Sequence, residues 1–156
     1  MKKINAFTFI IHYLGFLKHV PLLPLLFDLH LKVWTGLTNQ AILRSIESIE
    51  NEVSKWPGIY STAHKYGGLQ FNYAGSEIGH IHGNGLLDIR FTRAIKQQLM
   101  TDHRIADHHS FKNSGWISFY INGEKDGKYA IELLRQSYSR LSKRFTLPVS
   151  LAVYPA

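Results

Sequence analysis

Residues 59–91 read IYSTAHKYGGLQFNYAGSEIGHIHGNGLLDIRF, and the spacing of glycine through that run decides the fold. Ile59 to Tyr66 has the aromatic and β-branched composition of a strand, and Gly67-Gly68 offers a two-residue turn into a second strand, Leu69 to Tyr73. A third starts near Ser76, after a two-residue turn at Ala74-Gly75 or Gly75-Ser76. Asn84-Gly85, the strongest hairpin signal in the chain, then leads to a fourth from Leu86 to Phe91. Strands joined by turns this short pair with their sequence neighbours, which predicts an antiparallel meander.

Working outward, Ile42, Ile46, Ile49, Val53 and Trp56 recur at spacings of four and three with charged residues between them, an amphipathic helix from Gln40 that Pro57-Gly58 ends. On the other side Thr92 can cap a helix whose Ile95 and Leu99 face the core, and Trp116 to Ile121 reads as a fifth strand. A last helix after Asp126 keeps the three-four spacing through Ile131, Leu134, Tyr138 and Leu141, before Pro148 and a short extended tail. Strands in a run with helices before and after define an α+β fold: one domain, a mainly antiparallel sheet of about five strands, helices covering one side.

The N-terminus is different in kind. Ile4 to Leu17 is an almost unbroken apolar run behind Lys2 and Lys3, and Val20 to Phe27 is a second one interrupted by Pro21 and Pro24. The first run is shorter than the about 20 residues that span a bilayer and is followed by Lys18 and His19, not by a small-residue cleavage site. Residues 1–38 are therefore read as an apolar helical segment, packed on the core or lying on a membrane surface, and 39–156 as the α+β domain.

With 156 residues, 45% of them hydrophobic, the chain is long enough to bury a core without staples, and the absence of cysteine excludes disulfides, a thiol nucleophile and thiolate metal sites. That composition suits the cytoplasm, with membrane association through the apolar segment as the variant. The net charge of +7 raises nucleic acid as a partner, but the lysines and arginines are spread and interleaved with acids. The group Arg140, Lys143, Arg144 falls where cations complement a helix C-terminus, so no nucleic-acid partner is expected.

The chemistry concentrates on histidine. Alternate residues of a strand share a face, so His80 and His82 in Glu77-Ile78-Gly79-His80-Ile81-His82 project together. A Gly67-Gly68 turn sets His64 opposite Phe71 and, with the next turn, places His64, Leu69 and Phe71 on that same face. His108 and His109 lie in a polar loop just before Ser114-Gly115-Trp116 returns the chain to the sheet, so one of them can complete the cluster. Clustered imidazoles serve as bases, proton relays or ligands of a divalent metal. For His12, His19, His30 and His103 a simple hydrogen-bonding role is the reading.

Other signals are weaker. Gly83-Asn84-Gly85 lacks the context of a phosphate loop and reads as a turn, and Ser114-Gly115-Trp116 lacks the nucleophile-elbow pattern. Asp88 and Arg90 share a strand face, which commonly means a surface ion pair, and Trp116 is either core or a platform for a ligand.

Trp56-Pro57-Gly58, His64-Lys65-Tyr66-Gly67-Gly68, Glu77 to Gly85, His108-His109 and Ser114-Gly115-Trp116 together resemble the luciferase-like domain family, over about Gln40 to Arg140. The family takes its name from fungal luciferase, which resembles this chain at Glu77, Ile78, His80 and His82, at a later histidine best matched to His108, and at Trp116, Phe119 and Tyr120. That enzyme oxidises a hydroxylated styryl-pyrone with molecular oxygen and no known cofactor. This chain is far shorter and has glycine and asparagine after the paired histidines, where the luciferase has an acidic-rich group, so light emission is not implied.

The resemblance implies catalytic residues His80, His82, His108 and Glu77, with His80 or His82 as the base that ionises an acidic enol. Strict alternation, however, sets Glu77 on the opposite strand face. His64, Phe71, Asp88 and Trp116 form the expected substrate-binding set. The leading expectation is a cofactor-independent oxygenase-like enzyme for a small enolic or aromatic compound, with molecular oxygen as co-substrate. One competitor is an iron or zinc enzyme ligated by His80, His82 and His108. The other is a binding module whose Tyr60, Phe71 and Tyr73 line a pocket.

Overall fold

The structure, a computed structural model, describes residues 23–146. The apolar run Ile4 to Leu17 and the tail from Pro148 lie outside the described residues. In chain order the elements are α1 (Leu23–Thr38), α2 (Gln40–Val53), β1 (Ile59–Ala63), β2 (Leu69–Tyr73), β3 (Ser76–Ile81), β4 (Leu86–Arg90), α3 (Arg93–Leu99), β5 (Ile105–Asp107), β6 (Trp116–Tyr120) and α4 (Glu124–Thr146). The fold is α+β, as expected, with one six-stranded sheet in the order β1-β2-β3-β4-β6-β5 and every pair antiparallel. The strand beyond the expected five is β5, a three-residue edge piece too short for its composition to register.

Register sorts the side chains. Leu69, Ile81, Leu87, Phe119 and Ile105 form one cross-strand row, and Phe71, Gly79, Ile89 and Ile117 the next, both on the face covered by α2 and α4. Ile46, Ile49 and Val53 of α2 and Ala130, Leu133, Leu134 and Leu141 of α4 complete that core. Full burial of each large aliphatic side chain is worth about 1.5–3 kcal/mol, so this face holds the domain together. α4 is also pinned by polar contacts: Ser137 Oγ sits 2.8 Å from the Arg90 carbonyl oxygen and 3.3 Å from that of Ile78. It starts at Glu124, earlier than the expected position after Asp126.

The turn at Gly67-Gly68 differs from expectation in a way that matters for the site, and the expected hairpin at Asn84-Gly85 shares its form. His64 N–H donates to Gly68 O at 3.0 Å and Gly67 N–H to His64 O at 2.9 Å. Likewise His82 N–H donates to Leu86 O at 2.8 Å and Gly85 N–H to His82 O at 3.0 Å. Both are three-residue loops closed by a left-handed glycine, Gly67 with φ 87° and Gly85 with φ 83°, so the first is not the expected two-residue turn. The expected register therefore slips. Ser61, not His64, lies opposite Phe71, and Phe71 lies opposite Gly79 in the hydrophobic core, on the sheet face away from His80.

The second correction favours the site. Phe71 pairs with Gly79 but Asn72 pairs with Glu77, so β3 carries one extra residue, Ile78. A bulge of this kind shifts the alternation by one, and it rotates Glu77 onto the His80 face.

The described part of the apolar segment forms the helix α1, with Pro24 in its first turn, where the missing N–H forfeits no helical bond. α1 packs against α2 and reaches the end of the β3-β4 hairpin. Among the described residues no helix is long and apolar enough to cross a membrane.

Candidate functional site

The sheet face away from the α2/α4 core carries a polar row running across four strands: Gln70 opposite His80, His80 opposite Asp88, and Asp88 opposite Ser118. His82 stands at the end of β3 beside that row, His64 enters from the β1-β2 loop and His108 from the loop after β5. His64, His80, His82, Asp88, His108 and Ser118 are all buried, and the Asp88 carboxylate is completely so. A polar set this dry is stable only if its groups satisfy one another.

Most of them do so through a chain of carboxylates and imidazoles. His80 Nδ1–H donates to Glu77 Oε1 at 2.6 Å, and its Nε2 lies 3.5 Å from Asp88 Oδ2. Ser118 donates to Asp88 Oδ1, and His108 Nε2 lies 3.7 Å from Asp88 Oδ2. His82 Nδ1 faces Asp28 Oδ1 at 3.4 Å, while the same oxygen accepts the Gly83 N–H at 3.0 Å, which ties α1 to the end of the hairpin.

Burial and charge set the protonation states. Burial alone would drive the His80 imidazolium to give up its proton, but the hydrogen bonds and charges of Asp88 and Glu77 outweigh it and raise its pKa to about 9. Burial, together with the positive charge on His80, pushes His64 down to about 4. Burial also takes His108 down to about 4 against the pull of Asp88. Burial works to raise the Asp88 carboxyl, yet His80, His108 and Ser118 hold it below the ordinary carboxylate value, and Asp28 is lowered in the same manner by His82 and Gly83. At neutral pH the centre is thus an imidazolium between two carboxylates, flanked by two neutral imidazoles.

The tautomer of His108 is fixed by backbone. Its Nδ1 accepts the N–H groups of Ser110 at 3.0 Å and Phe111 at 3.2 Å. Backbone amides are donors only, so Nδ1 carries no proton and Nε2 must, directed at Asp88. Within the site two buried atoms are left without a hydrogen-bond partner, His64 Nδ1 and Asp88 Oδ2; among the described residues the third such atom, Arg140 Nε, lies away from it on α4. Buried polar atoms in that condition commonly await a water, an ion or a ligand.

Of the expected site residues, the structure brings together His80, His82, His108, Glu77, His64, Asp88 and Trp116, whose ring lies 5.6 Å from His80 and 5.7 Å from His108. It does not bring Phe71, which is core, or pair Asp88 with Arg90 at the surface. Tyr73 packs on Tyr138 and Phe145, and Tyr60 is half exposed on β1, so the pocket of Tyr60, Phe71 and Tyr73 is not formed. Sequence reasoning missed Asp28, 55 positions from its Gly83 partner, and Ser118, which register alone places beside Asp88.

The expected metal set also regroups. Among the described residues, ligand atoms within 4.8 Å of one another occur in His64, His80 and His82, and in Asp88, His108 and His109. The fixed tautomer removes His108 from either role, since Nδ1 is filled and Nε2 bears the proton. In the first set, His64 and His80 stack with centroids 3.8 Å apart and planes 10° from parallel. Imidazole binds through an in-plane lone pair at about 2.0–2.1 Å; two nearly parallel stacked rings cannot both direct such pairs at one ion.

Fold and site together define an α+β domain with a buried imidazole–carboxylate cluster on the sheet face remote from its hydrophobic core. Residues 75–137 match the family described as the luciferase domain. The matched residues run from the β2-β3 turn into α4 and contain Glu77, His80, His82, Asp88, His108 and Trp116, whereas His64 and Asp28 lie outside them. No curated protein and no solved structure matches the chain.

Proposed function

We propose that the domain is an oxygenase-like enzyme, working without a cofactor, that acts on a small enolic or aromatic compound at the histidine cluster. One observation carries this reading: an imidazolium, His80, fixed between Glu77 and Asp88 and stacked on a neutral imidazole, His64, whose Nδ1 has no partner. Such a pair separates the two halves of proton transfer, with one group protonated and the other able to accept. His80, held protonated, is the acid of the pair; the accepting role named earlier for His80 or His82 passes to His64 or His82.

In this reading the enol proton moves to His64 Nδ1 and the enolate is held beside the His80 cation. Its electron-rich carbon forms a C–O bond to dioxygen in one-electron steps. The substrate loses two electrons, and dioxygen, gaining them, becomes a bound peroxide anion that takes the Nε2 proton of His80. Proton transfer from His64 to His80 restores the site, and the product is the hydroperoxide. Trp116, part exposed against both His80 and His108, supplies the flat surface for an aromatic compound.

The test is oxygen uptake with enolic phenols and 4-hydroxy-pyrones, using protein analysed for metals, wild type beside the His80→Ala/His82→Ala double variant. Uptake by metal-free wild type and its loss in the variant are expected. Stoichiometric iron or zinc that disappears with the histidines would replace this reading with a metal enzyme. Binding of the same compounds without oxygen uptake would make the domain a binding module.

A further inference from the structure

Helix α1 turns its apolar side away from the protein. Asp28, Leu31 and Thr35, at spacings of three and four, lie on the side that meets the domain: Thr35 is buried, and Asp28 holds Gly83 and His82. On the opposite side Leu26, Leu29, Val33 and Leu37 recur at three, four and four and are 60%, 57%, 55% and 80% exposed, with Trp34 beside them at 61%. A water-facing helix shows the reverse pattern. Single exposed leucines are ordinary, whereas a continuous stripe marks a surface that something covers.

The surrounding sequence says what. α1 begins at Leu23, directly after a stretch whose apolar run, Ile4 to Leu17, is bracketed by Lys2, Lys3 and Lys18, and exposed Lys32 sits at the margin of the α1 stripe. Flanking cations around apolar surface, in a chain of net charge +7, match an apolar layer edged with negative charge. A second copy of the same basic chain would cover the leucines but repel those cations. We propose that α1 docks in the plane of a lipid surface bearing anionic headgroups, with Leu26, Leu29, Val33, Trp34 and Leu37 in the headgroup–acyl boundary. The proposal stands independently of the catalytic reading.

The full chain is mixed with vesicles of phosphatidylcholine alone and with a quarter phosphatidylglycerol, then sedimented. Leu29→Glu/Val33→Glu serves as the variant, since both positions are exposed and its melting curve reports that it folds. Wild type is expected to bind the anionic vesicles more strongly than the neutral ones, with a blue shift in emission that Trp34→Phe removes. The double variant is expected to bind about tenfold or more weakly, a factor that corresponds to about 1.4 kcal/mol. Undiminished binding by the double variant would overturn the proposal by placing the anchor elsewhere in the chain. Failure of wild type to bind either vesicle would overturn it too, and a dimer dissociated by the same substitutions would assign the stripe to a second copy.

Discussion

His64 lies flat against His80, ring centroids 3.8 Å apart, and the two imidazoles are driven to opposite protonation states by what surrounds them. Glu77 and Asp88 both lie against the His80 ring, whereas at His64 burial and the positive charge of His80 outweigh the weaker upward pull of Glu77. Equivalent positions in two hairpins bring about the second contact of the cluster: His64 and His82 each open a three-residue loop closed by glycine, and their rings meet edge to face at 6.1 Å.

Stability should therefore peak near pH 6.5 and fall on both sides. The pKa of folded His80, about 9, lies above the unperturbed 6.5, so its contribution is complete below about pH 6.5 and is lost as pH rises through 9. At roughly 1.4 kcal/mol per unit this arm amounts to about 3 kcal/mol. His64 and His108 sit near 4, so between pH 6.5 and 4 the unfolded chain binds protons that the folded chain refuses, and stability drops as pH falls. Urea midpoints across this range check both arms. A flat profile between about pH 5 and 6.5 would contradict the buried neutral histidines.

Glu77→Gln keeps the shape at the bulge and removes the charge at His80 Nδ1. The imidazolium is left with Asp88 as its one close carboxylate, so the His80 pKa should fall towards the ordinary histidine value. The protein should also lose about 2 kcal/mol at neutral pH, as expected for half of a largely buried charge-assisted pair. Ring-proton NMR titration reads the first effect and urea unfolding the second. An unmoved His80 titration would show that Asp88 alone sets its charge.

How far these features were legible in sequence follows from their range. Alternation and turn glycines are local signals, which is why the meander, α2 and the pairing of His80 with His82 on one face could be read directly. The loop at Gly67 could not be distinguished from a Gly67-Gly68 two-residue turn, because both place glycine where φ is positive; what decides is packing. A Cβ on Gly68, whose φ is +93°, would stand 2.4 Å from the Ile81 carbonyl oxygen, so the end of β3 closes on that position and fixes the register. The extra residue Ile78 left no mark in a strand whose composition is already apolar. Asp28 gave no signal because its partners, His82 and Gly83, belong to an element formed far along the chain.

His108 should be a pure Nε2–H tautomer at neutral pH. Two backbone donors at Nδ1 leave it no alternative, and a long-range proton–nitrogen correlation spectrum distinguishes a bare Nδ1 from a protonated one. His108→Ala should leave any metal binding unchanged and destabilise the loop by about 1 kcal/mol, since two part-buried backbone donors lose their acceptor and turn to water. A protonated Nδ1 would reopen His108 as a metal ligand.

His82→Ala distinguishes chemistry from architecture. His82 is buried but lies at the end of β3, outside the hydrophobic core on the other face of the sheet, and its loop is closed by backbone bonds from His82 N–H to Leu86 O and from Gly85 N–H to His82 O that alanine retains. Its side chain contributes the contact with Asp28, which keeps the Gly83 N–H as a partner after the substitution. The fold should survive with a loss of about 1–2 kcal/mol, while turnover of an enolic substrate should be abolished, because an imidazole packed edge to face on His80 at 5.1 Å is gone from the relay. Phe71→Ala is the counterpart: it should cost about 3–5 kcal/mol by opening a cavity in the core and leave ligand binding intact at temperatures where the protein is folded. Thermal melts beside oxygen uptake for the two variants give the answer. A collapse of the melting temperature in His82→Ala would show that His82 holds α1 to the sheet and does not serve the reaction.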